Sequence, residues 1–144
     1  MSRALFDINA LLALLDADHV DHLRAQQWIE DGIPDGWASC PITENGFVRI
    51  LSQPKYPSPV SPTRAIELLD ASRDGEVHEF WACDVSILDD RLIDRTRVHG
   101  PRQVTDAYLL ALAAVRRGGR LVTFDRTLAP SAVRGAGGEH LVVL

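Results

Sequence analysis

Thr105-Asp106-Ala107-Tyr108-Leu109-Leu110-Ala111-Leu112-Ala113-Ala114-Val115-Arg116-Arg117-Gly118-Gly119-Arg120-Leu121-Val122-Thr123-Phe124-Asp125 carries the reading of the fold. Thr105 or Asp106 offers an N-cap, and the body is rich in Leu, Ala and Val. Arg116 and Arg117 suit the negative end of a helix dipole, and Gly118-Gly119 stops the helix. A helix over 105–117 is thus followed at once by an apolar strand over 120–124, which runs into an acid, Asp125. A helix feeding a buried strand is a building block of parallel α/β sheets.

Outward from there the alternation recurs. Residues 4–8 read as a short buried strand. Asn9 can cap a helix through Leu15, and residues 17–29 carry a second with Leu23, Trp28 and Ile29 as its core. Residues 36–40 read as a strand, and Pro41 suits the first position of a helix running to about Ser52. Pro54, Pro57, Pro59 and Pro62 make 53–62 a loop. Pro62 opens a helix to about Ser72, closed by Asp74-Gly75. Residues 78–84 read as a third strand, 86–97 as a helix, 99–103 as a connecting loop and 141–144 as a last strand. Strands separated by helices imply parallel pairing in a layered α/β sandwich. Ligands of such sheets sit beyond the carboxyl ends of the strands, where the strand order reverses.

A chain of 144 residues is one domain by length, 1–144, and long enough to bury a core without disulfides. Cys40 and Cys83 are too few for a disulfide framework or a zinc site and read as buried thiols. The apolar run 107–115 is far shorter than the roughly 20 residues that span a bilayer. No signal-like apolar segment follows Met1-Ser2-Arg3, so a cytoplasmic protein without membrane contact is expected. The net charge of −5 argues against a nucleic-acid partner, but its distribution does not. Lys55 is the single lysine among 15 cations. Arg91, Arg95, Arg97, His99 and Arg102 crowd one stretch and Arg116, Arg117, Arg120 and Arg126 another, either as a solvated face or, for the arginines, as phosphate-binding forks.

Four acids are expected near one end of the sheet. Asp7 ends the first strand and Asp125 follows the strand over 120–124. Asp106 opens the helix before that strand, so a right-handed crossover returns it toward the same edge. Glu44 lies in the first turn of the helix entered through Pro41. Each alone has a plainer reading: Asp106 an N-cap, Glu44 a dipole-favoured acid, Asp125 a turn residue. Asp7 resists one, because an acid between Phe6 and Ile8 is expected to be buried, and an unpaired buried carboxylate is costly. Carboxylates held together need a counter-charge, which Mg²⁺ (or Mn²⁺) supplies while keeping waters and binding phosphate. Such ions activate water and neutralise a leaving oxygen. Asn9 and Thr123 are expected to orient the acids.

Phe6-Asp7-Ile8-Asn9-Ala10-Leu11-Leu12, Pro41-Ile42-Thr43-Glu44-Asn45-Gly46-Phe47-Val48-Arg49, Val104-Thr105-Asp106-Ala107-Tyr108-Leu109-Leu110-Ala111-Leu112-Ala113 and Leu121-Val122-Thr123-Phe124-Asp125-Arg126 resemble the four blocks of the PIN domain, in order and spacing. More narrowly they resemble VapC-type toxins of bacterial toxin–antitoxin pairs. The resemblance implies a three-layer α/β sandwich with a parallel sheet ordered 3-2-1-4-5. It implies a Mg²⁺- or Mn²⁺-dependent endoribonuclease that cuts tRNA or rRNA. It also implies a homodimer silenced by a VapB-type antitoxin. Asp7 and Asp106 match the principal metal ligands, Glu44 and Asp125 the other two acids, and Thr123 the polar residue before the last.

Rival readings fit less of the chain. A phosphatase of the haloacid-dehalogenase type needs a second Asp two residues after the first, where Asn9 stands. A response-regulator receiver needs a Lys after a later strand, and Lys55 lies in the proline-rich loop. A flap-type nuclease needs a longer chain with a helical arch. A non-catalytic binding module leaves the converging acids unexplained. His19 and His22 read as a solvated helix face, because no further ligand is nearby. Trp28 and Trp37 read as core, while Trp81 is either core or a base-stacking platform. Arg95, Arg97, Arg102 and Arg126 are the candidate RNA contacts, since an acid cluster repels phosphate until metal enters.

Overall fold

The computed structural model describes residues 3–32, 36–73 and 77–144. Five strands form one sheet: β1 (Arg3–Phe6), β2 (Trp37–Ser39), β3 (His78–Phe80), β4 (Gly119–Thr123) and β5 (Leu141–Val143). Their order is β3-β2-β1-β4-β5 with every neighbouring pair parallel, as the resemblance implies. The helices are α1 (Ile8–Leu15), α2 (His22–Gly32), α3 (Pro41–Leu51), α4 (Pro62–Ser72) and α5 (Pro101–Ala114). No described helix is long and apolar enough to cross a membrane.

Period-two alternation along the strands sorts the core into two layers. Ala4, Phe6, Trp37 and Val122 join buried residues of α1 to α4 on one face. Leu5, Ala38 and Leu121 join α5, Trp81, Ile93 and Val133 on the other. Two glycines set close approaches. Gly36 has φ +88°, and a Cβ there would lie 2.0 Å from the Val77 carbonyl oxygen. Gly46, on α3, lets Ile8 sit where its side chain would be, so α3 packs tightly on the start of α1.

Several local expectations are corrected. The segment 86–97 is not a helix, and only Arg95–Arg97 makes a 3₁₀ turn. Ser86, Asp89 and Asp94 accept hydrogen bonds from the amides of Leu88, Arg91 and Thr96, which offers the backbone turns in place of helix. An Ile93–Val133 bridge then ties the segment to a neighbouring loop. The helix expected over 17–29 starts at His22, because the Asp16 carboxylate takes the Asp18 amide and turns the chain first. Leu23 is 78% exposed and is no core residue. Strand β3 stops at Phe80 rather than 84. The closing pair Asp74-Gly75 lies outside the described residues. Helix α5 starts at Pro101, within the expected loop, with the Gln103 side chain accepting from the Gly100 and His99 amides.

Candidate active site at the carboxyl ends of the central strands

Asp7 follows β1, and its amide donates to the Val122 carbonyl of β4 at 3.0 Å. It, and not Asn9, is the N-cap of α1: its Oδ1 accepts from the Ala10 amide at 2.8 Å. The residue is only 6% exposed. Burial pushes its carboxyl up, the Thr123 hydroxyl and the Ala10 amide pull it back, and the Asp125 charge raises it again. Asp106 is the sixth residue of α5 counted from Pro101, well past any capping position. Burial, then the charges of Asp7 and Asp125, push its pKa up to about 6. Asp125 is exposed and lies lower than usual, because the Thr127 hydroxyl and amide donate to its Oδ1 at 2.6 and 2.8 Å. Thr123 is buried, and its Oγ1 accepts from the Asp125 amide at 3.0 Å, so one hydroxyl serves two of the acids.

Three of the four expected acids thus act on one another from three elements. No Arg, Lys or His among the described residues forms an ion pair with any of them. Nor do any three His, Cys, Asp or Glu among the described residues close around a single point tightly enough to ligate one ion as they stand. The donor set is nonetheless that of a hydrated hard cation, which takes one or two carboxylates and keeps its waters.

Glu44 is not brought to them. It lies in the first turn of α3, as expected, at the same end of the sheet. The rotation of α3 separates it: Gly46, against Ile8, and Arg49 and Ile50, beside Asp7, define the inner face, which Glu44 does not share. Glu44 instead lines a different cleft with Ile66, Asp70 and Arg73. There Ser39 donates to its Oε2 at 2.6 Å, and Arg73 pairs with it at 3.4 Å. Asn9 is exposed and lines the Asp7–Asp106 cleft, but makes no side-chain hydrogen bond to an acid among the described residues.

A family model described as PIN domain matches residues 4–131. The chain belongs to the PIN-domain family. Ribonuclease VapC44 of Mycobacterium tuberculosis (strain ATCC 25618 / H37Rv) is 61% identical over 142 residues, covering 99% of each chain. Ribonuclease VapC38 of the same strain is 49% identical over 123 residues, 85% of this chain and 84% of that one. Ribonuclease VapC39 is 46% identical over 133 residues, 92% and 95% of the two chains. Within the PIN family the chain belongs with the VapC proteins.

The arginines of this PIN domain divide by occupation. Arg95 donates to the Leu88 carbonyl and Arg97 pairs with Asp94, so both brace their own segment. Arg102 and Arg126 are exposed with no hydrogen bond or ion pair among the described residues, and Arg102 borders Asp106. Trp81 is buried with the Arg116 guanidinium 4.7 Å above its ring, which makes it core. His22 Nδ1 donates to the Ala13 carbonyl of α1 at 2.8 Å and takes no part in the site.

His78, missed by sequence reasoning, completes the Glu44 cluster. The single Ser39 proton goes to Glu44, so the ring nitrogen Nε2 of His78 donates to Ser39 Oγ, at 2.8 Å. Burial first, then Arg73 and Arg3, lower the His78 pKa to about 4. A histidine held below its ordinary value stabilises the fold fully above about pH 6.5 and loses that contribution as pH falls toward 4. His78→Gln keeps a donor for Ser39 without the titration. Melting temperatures at pH 7 and 5 should therefore fall more steeply for the parent than for the variant; equal slopes would reject the buried neutral ring.

Proposed function

We propose that this chain is a Mg²⁺- or Mn²⁺-dependent endoribonuclease, the toxin of a toxin–antitoxin pair, which cuts tRNA or rRNA in the cytoplasm. The observation that carries the reading is the trio Asp7, Asp106 and Asp125: the Asp125 charge raises the proton affinity of the other two, Asp7 raises that of Asp106, and none has a cationic partner among the described residues. Such a trio is stable when a divalent cation enters, and the relatives named ribonucleases supply the substrate class. A VapB-type antitoxin and a second copy of the chain are the expected partners.

Asp7 and Asp106 would hold the metal, with Asp125 beside them. When bound, the metal supplies a nucleophilic water and charge stabilisation for the departing oxygen. The protein's part is positional. Thr123 fixes Asp7 and Asp125 together, the α1 cap fixes the Asp7 carboxylate, and Asn9 faces the cleft where a phosphate or water would lie. We assign Glu44 to bracing α3 through Ser39 and Arg73 rather than to the metal. A phosphatase of the haloacid-dehalogenase type has no support in these neighbours.

The test is cleavage of structured RNA by the purified protein with Mg²⁺ or Mn²⁺, with and without EDTA, and analysis of the new ends. Cleavage should need the metal and leave a 5′-phosphate and a 3′-hydroxyl. A 2′,3′-cyclic phosphate, or full activity in EDTA, would reject the proposal.

A further inference from the structure

Nine of the fourteen arginines engage a carboxylate or a backbone carbonyl: Arg3, Arg24, Arg64, Arg73, Arg91, Arg95, Arg97, Arg116 and Arg134. Arg120 stacks on Trp28. Arg49, Arg102, Arg117 and Arg126 have no side-chain partner among the described residues. Of these only Arg49 and Arg102 line the cleft of about 680 Å³ that holds Asp7 and Asp106. They enter it from different walls, Arg49 from the last turn of α3 and Arg102 from the first turn of α5. A second cleft, of about 540 Å³, continues past Arg102 and Asp106 to Asp125 and Thr127. The two clefts therefore make one track with Asp106 at its middle and Arg49 toward one end.

We infer that Arg49 is a substrate-binding residue, which anchors a phosphate of the RNA strand on the α3 side of the acid cluster. The inference rests on the ribonuclease reading above. Its logic is electrostatic and geometric. Three carboxylates repel a polyanion, so a strand drawn across them needs fixed positive charge on either side of the cut, and Arg102 supplies it on one wall only. Arg49 is exposed, has no side-chain partner among the described residues, and stands on a helix that Gly46 packs against α1, so its backbone is held beside the cleft that the side chain lines. A planar guanidinium grips a phosphate through two parallel hydrogen bonds, which an ammonium does not reproduce.

The test uses unfractionated tRNA with Mn²⁺ and compares parent, Arg49→Ala, Arg49→Lys and, as control, Arg64→Ala on α4, which is paired with Glu67 and lines neither cleft. Arg49→Ala should raise the apparent KM about tenfold, leave kcat within about twofold and leave the melting temperature unchanged. The slope of log KM against log salt should lessen by about 0.7–0.9, one phosphate contact. Arg49→Lys should restore the salt slope but only part of the KM. Unchanged KM and slope in Arg49→Ala, or a fall in kcat at constant KM, would overturn the inference. If the parent does not cut at all, the ribonuclease reading fails instead, and fluorescence titration of labelled tRNA with Mn²⁺ still decides whether Arg49 binds the strand: equal affinity of parent and Arg49→Ala overturns it.

Discussion

Asp106→Asn should lose at least about 100-fold in RNA cleavage and become more stable than the parent when metal is absent. Residues that merely orient metal ligands cost about 10–100-fold when removed, and fixed charge in a site about 10²–10³-fold, so a member of the acid trio belongs at the upper end. The stability gain follows from the raised pKa of about 6. An acid whose folded value lies above its ordinary 3.8 penalises the fold at neutral pH, and the penalty fades as pH drops from 6 toward 4. Allowing for solvent screening, the neutral side chain should gain roughly 1–2 kcal/mol at pH 7.5 in EDTA, with the difference about halved at pH 5 and closing near pH 4. Thermal unfolding across that range, with and without Mn²⁺, measures both effects. The metal-induced rise in melting temperature should shrink in the variant. Since Asp106 lies too deep in α5 to cap it, a cap-sized loss of stability in EDTA would contradict the clustered acids.

Phe6→Ala should be the most damaging single change to the fold. The ring is fully buried between the edges of Trp28 and Trp37, at centroid distances of 5.9 and 6.3 Å. Truncating such a ring costs about 3–5 kcal/mol, which for a chain of this size is a drop on the order of 10 °C in Tm. Phe6→Leu, which keeps most of the volume, should cost about 1–2 kcal/mol. Because Asp7 is the next residue, metal binding should weaken along with stability in Phe6→Ala. Urea unfolding gives the comparison; a loss under about 1 kcal/mol for the alanine variant would show that the aromatic cluster does not anchor β1.

Much of this was legible because strand ends and proline-entered helices have strong local signatures. The short apolar run Ala4-Leu5-Phe6, the Pro41 and Pro62 starts, and an apolar strand running into Asp125 each report local physics that tertiary packing left alone. The start of α5 was legible in principle, since Gly100-Pro101 with Gln103 at the third helical position is a capping signal, but proline and glycine together read as loop. The segment 86–97, expected to be a helix, departs from it because Ser86, Asp89 and Asp94 draw the backbone into turns. Glu44 shows a different limit. Its place along the chain was read correctly, yet which way α3 is rotated depends on Gly46 meeting Ile8, a contact between elements. The same glycine was the available signal for Arg49, one turn further on the same face.

The pairing of Arg3 with Gly119 at the centre of the sheet has a consequence for synthesis. The middle strands are brought together from opposite ends of the chain, a contact of high sequence separation that must await the later partner. At about 5–20 residues per second, the stretch between them takes on the order of ten seconds to make. Asp7 emerges first, while Asp106 and Asp125 come only in the last third of the chain, so a nascent copy that has not reached residue 125 lacks the acid trio. A cleft built this way cannot close its carboxylates around anything until β4 and Asp125 just beyond it have been made and β4 has paired with β1.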